Sequence, residues 1–266
     1  MTDRLPLPDL LEFALATAVA AGNSILPHFR HAMDVENKDA IGGYDPVTVA
    51  DRAAESVIRA AISAAWPGHG LLGEEQGHQK GAQPWTWVID PIDGTRSFII
   101  GQLHWGTLIA LSDGSRPVLG VAYQPYVGEA FLACEGGPAQ WRRGSERRIL
   151  KTRRCPRLAD AIVVTTSPHF FTTPREAAAF HAVSKDARLT RFGGDLYCYT
   201  LLAMGLVDVA IETGLMPYDV QALIPIVEAA GGVMTNWRGE PCHQGGDVLA
   251  CGDPTLHAQL LRRIAA

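Results

Sequence analysis

Between residues 85 and 133 four apolar runs, 85–89, 107–111, 118–123 and 129–133, follow one another with breaks of Gly, Pro and Asp between them. Runs this short, separated by turn residues, predict neighbouring antiparallel strands. After residue 160 the pattern changes to alternation. Strands are expected at 162–165, 188–192, 207–212, 233–236 and 248–251, with helices at 174–184, 196–204, 220–230 and 254–264. Two helices precede the strands. One is expected within 10–26, with Leu11, Leu15, Val19, Gly22 and Leu26 on one stripe. The other covers 49–65 and ends at Pro67-Gly68, as helices often do. The expected class is therefore α/β (α+β): a helix pair, an antiparallel sheet, then an α/β lobe. The lobes are placed at 1–145 and 146–266, with the boundary in the region 144–157.

Composition narrows the function. A chain of 266 residues, 47% hydrophobic and 19% charged, can bury a large core and is typical of a globular enzyme. Its net charge of −5 gives no support to a nucleic-acid partner. The arginines of 142–154 read as a solvated hairpin and lobe connection. Segment 10–26 is interrupted by Glu12 and Asn23 and stopped by Pro27, so it is expected to pack inside the protein and not to span a membrane. Five scattered cysteines without a Cys-x-x-Cys pair suggest reduced thiols in the cytoplasm.

The chemistry is carried by Asp90-Pro91-Ile92-Asp93-Gly94-Thr95, which follows the apolar Trp87-Val88-Ile89. A strand that delivers two carboxylates into a sharp turn makes a place for hard divalent cations, which prefer oxygen ligands. The same turn can offer backbone N–H groups to an anion. Three further segments supply carboxylates. Gly73-Glu74-Glu75 is either a solvated acidic loop or a metal bridge. Thr48 reads as a helix N-cap with Asp51 in the first turn. Asp219, in Pro217-Tyr218-Asp219-Val220, reads as another N-cap able to reach a cation. Such carboxylates crowded without metal would repel one another and hold protons.

These segments, in this order, resemble the inositol monophosphatase family of magnesium-dependent, lithium-sensitive phosphatases over nearly the whole chain. The signatures are the hexapeptide 90–95 with its extension Arg96-Ser97-Phe98, and the Asp219 helix ending in Ala230-Gly231-Gly232. The resemblance implies the layered α-β-α-β-α sandwich of the inositol monophosphatase and fructose-1,6-bisphosphatase type. It implies that Glu74, Asp90, the carbonyl of Ile92, Asp93 and Asp219 hold two to three Mg²⁺ ions. Glu74 and Thr95 would activate the attacking water, with Asp51 behind them. Asp93, Gly94, Thr95 and Asp219 would meet the substrate, and Lys38 would belong to a mobile loop near the third metal. A homodimer is also implied. Tyr218 stands where many members carry Trp, which predicts altered packing and no lost metal.

Substrate choice turns on Phe192-Gly193-Gly194-Asp195. The inositol phosphatases proper carry Ala at the position of Asp195. Here Asp195 either caps the following helix or, with Glu212, faces the leaving group. The Gly-Gly-Asp turn resembles the histidinol-phosphate phosphatases of the family, whose amine-bearing substrate would suit an acidic pair. The alternatives are inositol 1-phosphate or a related sugar phosphate, and a phosphatase-fold protein that binds a protein or RNA partner.

Overall fold

The computed structural model describes residues 6–32, 34–38 and 45–265. Helix α1 (Leu7–Ile25) is followed by an antiparallel ribbon of β1 (Val35–Asn37) and β2 (Pro46–Thr48), and then by α2 (Val49–Ala65). The main sheet is built from β3 (Gly70–Gly73), β4 (Gly77–Gln79), β5 (Thr86–Asp93), then, after the short α3 (Thr95–Ile99), β6 (Gly106–Ser112), β7 (Pro117–Gln124), β8 (Glu129–Cys134), β9 (Gln140–Arg143) and β10 (Glu146–Ile149). Its order is β10-β9-β8-β7-β6-β5-β3-β4, and only β3 and β5 run parallel. The second half holds β11 (Ile162–Thr165), α4 (Pro174–Ser184), β12 (Leu189–Phe192), α5 (Leu196–Ala203), β13 (Val209–Leu215), α6 (Pro217–Val220), α7 (Leu223–Ala229), β14 (Val233–Thr235), β15 (Gly246–Cys251) and α8 (Pro254–Ala265). Its five strands are ordered β12-β11-β13-β15-β14.

Three apolar cores stack these elements into five layers. Leu10, Ala14 and Ala18 of α1 and Ile58 and Ile62 of α2 pack on Trp87, Ile89 and Ile109 of the large sheet. The other face of that sheet, through Val88, Leu108 and Ala110, meets Leu202 of α5 and Ile226 of α7, which also meet Ala210 and Val248 of the small sheet. Val163, Val209 and Leu249 on the far side of the small sheet close against α4 and α8. The result is the expected α-β-α-β-α sandwich. Both faces of the large sheet are covered, so β6 is buried at every position. Its sequence accordingly reads as a continuous apolar run and not as an alternating one.

Several expectations need correction. A division at 145/146 would cut the β9–β10 hairpin, whose turn is made at Gly144 with φ of 57°. The large sheet ends at Ile149 and the small one begins at Ile162. The expected helix 220–230 is broken into α6 and α7, because Pro225 cannot donate to the carbonyl of Gln221 and its ring clashes there. The buried stripe of α1 is Leu10, Leu11, Ala14, Ala18, Ala21 and Ile25, whereas Val19 lies at the surface. Small residues let α1 approach closely: a Cβ on Gly22 would sit 2.7 Å from Pro125 Cβ. The segment Leu7–His28 is long and apolar enough to cross a bilayer by length and composition alone. Here it packs against α2 and β7.

The middle layer presses hard on β7. A Cβ on Gly120 would lie 1.9 Å from the carbonyl oxygen of Ala222, between α6 and α7. Replacing Gly120 with Ala is expected to destabilise the protein by about 1–3 kcal/mol through overpacking, read as a lower urea midpoint with an unchanged slope.

Candidate active site

The site begins with an irregularity in β5. Along a regular strand, residues three apart point to opposite faces. The pairing of β5 with β6 slips between Asp90 and Asp93, as a bulge does. Thr107 Oγ1 donates to Pro91 O at 2.9 Å and holds the displaced residue. Both carboxylates thereby reach one place. The acidic motif is thus the end of the strand, and the turn starts only at Gly94. That glycine has φ of 82°, and a Cβ on it would meet the carbonyl oxygen of His104 at 2.4 Å. No side chain fits there.

Asp219 comes to the same place from the middle layer. It is not the N-cap of α6 but the third residue in, and its Oδ2 accepts from Met216 N at 2.7 Å. Carboxylate oxygens of Asp90, Asp93 and Asp219 lie within 4.8 Å of one another. Glu74 arrives from the end of β3, where its N–H donates to Ile89 O at 3.2 Å. It is close enough to Asp90 and Asp219 for each carboxylate to raise the cost of ionising the others. Lys38 Nζ bridges Glu74 Oε1 at 2.7 Å and Glu75 Oε1 at 2.8 Å. The neighbouring segment 39–44 of the expected loop lies outside the described residues.

Burial and mutual repulsion set the electrostatics. Burial pushes Asp90 well above the carboxylate range, and Glu74, Asp93 and Asp219 push it further. Asp93 is raised in the same way, first by burial and then by Asp195 and Asp219. Asp219 is pushed up to about 7 by burial, against the Met216 hydrogen bond. Glu74 is raised by burial although Lys38 opposes it. Asp90 Oδ1 is buried and, among the described residues, has no hydrogen-bond partner. A set of crowded, oxygen-only ligands with an unsatisfied buried acceptor fits a hard divalent cation. Tyr218 lies beside the cluster, half-buried, its hydroxyl pushed up by burial and then by Glu74, Asp219 and Asp90.

Behind the cluster, Thr48 and Asp51 form a capping box at the start of α2. Asp51 Oδ2 accepts from Thr48 N at 2.8 Å, while Oδ1 lies 3.4 Å from Thr95 Oγ1. The Thr95 hydroxyl also lies 2.9 Å from Ile92 O, so one proton is shared between two acceptors.

Asp195 stands at the N-cap position of α5 but does not cap it. Its φ of 47° is rare for a side-chain-bearing residue, and its Oδ2 accepts from Ser97 Oγ at 2.9 Å. Asp93 takes over the capping, accepting from Leu196 N at 2.6 Å. The Asp195 carboxyl is left against Gly94, pushed up to about 7 by burial and then by Glu212, with Ser97 opposing. Glu212 differs from the expectation that it faces a leaving group. It is buried, and its two oxygens are occupied by Thr166 N at 2.8 Å and Tyr199 OH at 2.9 Å. Ser97 and Leu196 N were not foreseen. A serine two residues beyond the motif carries no spacing signal, and a backbone N–H carries none at all.

A five-layer sandwich with carboxylates gathered from the large sheet and a middle-layer helix defines a class of metal-dependent phosphomonoesterases. The inositol monophosphatase family model matches residues 7–266. Among curated relatives, the chloroplastic bifunctional phosphatase IMPL2 of Arabidopsis thaliana is 38% identical over 260 residues, covering 94% of this chain and 73% of that protein. The histidinol-phosphatase of Chlorobaculum parvum is 36% identical, covering 97% and 96%. The solved structure of an inositol monophosphatase from Zymomonas mobilis superposes with a TM-score of 0.87 at 37% identity, covering 99% of this chain and 100% of that one. The chain belongs to the inositol monophosphatase family, and it is a phosphatase.

A carboxyl whose pKa is raised by folding keeps a proton that the unfolded chain releases above about pH 4. The stability it contributes is therefore fully present below that pH and is lost as pH rises through about 7, where Asp195 and Asp219 titrate. In chelator-treated protein, melting temperature is expected to fall between pH 5 and pH 8, and Asp219→Asn should flatten that fall. Scanning calorimetry of both proteins across the range checks it.

Proposed function

We propose that this phosphatase is Mg²⁺-dependent and hydrolyses L-histidinol phosphate to L-histidinol and phosphate, a step of histidine biosynthesis. Glu74, Asp90, Ile92 O, Asp93 and Asp219 would hold two to three Mg²⁺ ions. Bound there, the ions would neutralise phosphate oxygens, acidify a water and stabilise the leaving alkoxide. The chain's own part is positioning, which dominates phosphoryl transfer. Glu74 and Thr95 orient the water and take its proton. Asp51 holds the Thr95 hydroxyl in place from behind. The backbone N–H groups of Gly94 and Thr95, at the start of α3, face the phosphate. The protein acts in the cytoplasm as a homodimer, on a small phosphorylated metabolite and without a nucleic-acid partner.

The observation that carries the substrate assignment is Asp195. A strained, non-capping carboxylate is held by Ser97 against the phosphate turn, at the position where the resemblance places Ala in inositol phosphatases. A pocket of about 250 Å³ adjoins it, lined by His104, Thr165, Gly193 and Tyr197 among others. An ammonium group would pair with Asp195 while an imidazole enters this pocket. The similarity to a histidinol-phosphatase over nearly the full length supports the same reading. Inositol 1-phosphate is the second reading, favoured by the likeness to the Zymomonas mobilis structure.

Phosphate release with Mg²⁺ should be compared for histidinol phosphate, inositol 1-phosphate and fructose 1,6-bisphosphate. Histidinol phosphate is expected to win in kcat/KM by at least about tenfold, or about 1.4 kcal/mol of transition-state discrimination. A comparable rate on inositol phosphate would move the assignment to the second reading. Asp195→Ala should raise KM for histidinol phosphate about ten- to a hundredfold, the worth of one charge-assisted hydrogen bond, and leave inositol phosphate nearly unchanged.

A further inference from the structure

One buried charged pair takes no part in the chemistry above. Glu55 follows Asp51 by one helical turn, so the two carboxylates share a face of α2. Asp51 reaches Thr95; Glu55 reaches the turn that carries Glu74. Glu55 is fully buried. Its Oε2 accepts from Glu75 N at 2.7 Å, and its Oε1 accepts from Gln76 N at 3.1 Å. Arg59, a further helical turn along, donates Nε to the same Oε1 at 2.6 Å and Nη2 to Gly77 O. One helix thus grips both ends of the link between β3 and β4. The backbone passes so close that a Cβ on Gly73 would lie 2.1 Å from Glu55 Oε1.

The grip has a consequence for Glu74. Its backbone N–H is tied to β5 and its Oε1 is paired with Lys38 Nζ at 2.7 Å, but its side chain must also stay beside Asp90 and Asp219, whose charges oppose its own. A turn free to relax would carry Glu74 away from like charges. We propose that Glu55 and Arg59 are positioning residues for metal binding: by fixing backbone 75–77 they keep the Glu74 carboxylate at the acidic cluster. The inference rests on the metal-dependent reading of that cluster. Outer partners that orient metal ligands are typically worth about 10–100-fold in metal affinity, and Glu55 acts through the backbone to the same end.

The alternative is a brace that only anchors α2 to the sheet. Glu55→Gln separates the two, because an amide has one acceptor oxygen for the three donors that now meet the carboxylate. Mg²⁺ binding to chelator-treated, full-length protein is measured by calorimetry well below the melting temperature. Amide hydrogen exchange at Glu75 and Gln76 is followed in parallel. The expected result is a Kd for Mg²⁺ raised at least about tenfold with faster exchange at these amides, and a KM for the phosphate ester near wild type once Mg²⁺ is saturating. A folded Glu55→Gln protein with the wild-type Kd overturns the proposal, even if its melting temperature is lower. Should that variant not fold, Arg59→Lys, which keeps the charge but loses the fork, must raise the Kd in the same direction; an unchanged Kd overturns the proposal. A wild-type chain that binds no Mg²⁺ overturns the metal reading and this inference with it. Wild-type binding beside an indifferent variant overturns this inference alone.

Discussion

Repulsion among buried carboxylates is the constraint around which the molecule is arranged. Glu74, Asp90, Asp93 and Asp219 come from β3, β5 and α6, elements far apart in the chain. Brought together away from water, each raises the cost of ionising the others. No short loop could hold such a group, since a flexible segment would relax until the charges separated. The ligands sit instead on a bulged strand between paired neighbours, on a strand end, and on a one-turn helix locked by its own capping bond. Rigid supports are what allow an unfavourable charge arrangement to persist in readiness for a cation.

The middle layer joins the two sheets through the same charges. Asp93 belongs to the large sheet but caps α5, which packs between the sheets. Tyr197 of α5 donates to Glu129 of β8 at 2.6 Å, a second polar tie across the layers. Asp195 is excluded from the cap that its position would normally give it, and this exclusion leaves its carboxylate available. The strain of its backbone, of a kind that clusters at functional sites, is sustained by neighbours on both sides: Ser97 below and Thr166, whose Oγ1 accepts from Asp195 N at 3.2 Å.

Much of this was legible from the residues alone. The strand runs at 107–111, 118–123 and 129–133 and the helices at 49–65 and 174–184 match the structure within a residue or two, because period and turn residues mark them. The layered fold came from resemblance to a family, since no local pattern reveals how two sheets stack. Some of the shortest elements were missed. β1, β2 and β4 have three residues each, too few to show a period, so they are defined only by their partners. The bulge at 90–93 is equally invisible to periodicity, and the acidic motif looked like a turn because it contains Pro91 and Gly94. Pro225, by contrast, was a readable signal of the break between α6 and α7. The N-cap lies three residues before the expected Asp219 because Met216, not a polar residue, occupies it.

Helix α2 shows how folding and function share parts here. Its outward charges are unremarkable, but its inward face carries Asp51, Glu55 and Arg59 in successive turns, beside Ala50, Ala54, Ile58 and Ile62 that bury it. The apolar stripe fixes the helix against the sheet, and the polar residues then meet the two loops that need to be held. A buried ion pair is weak support for stability in itself, because desolvation offsets most of its attraction. Its retention is easier to understand where backbone N–H groups complete its hydrogen bonding, as Glu75 and Gln76 do, and where the segment so held must resist a local repulsion. A divalent cation bound at the cluster would relieve that repulsion in the folded state alone, so cation binding and folding would reinforce each other.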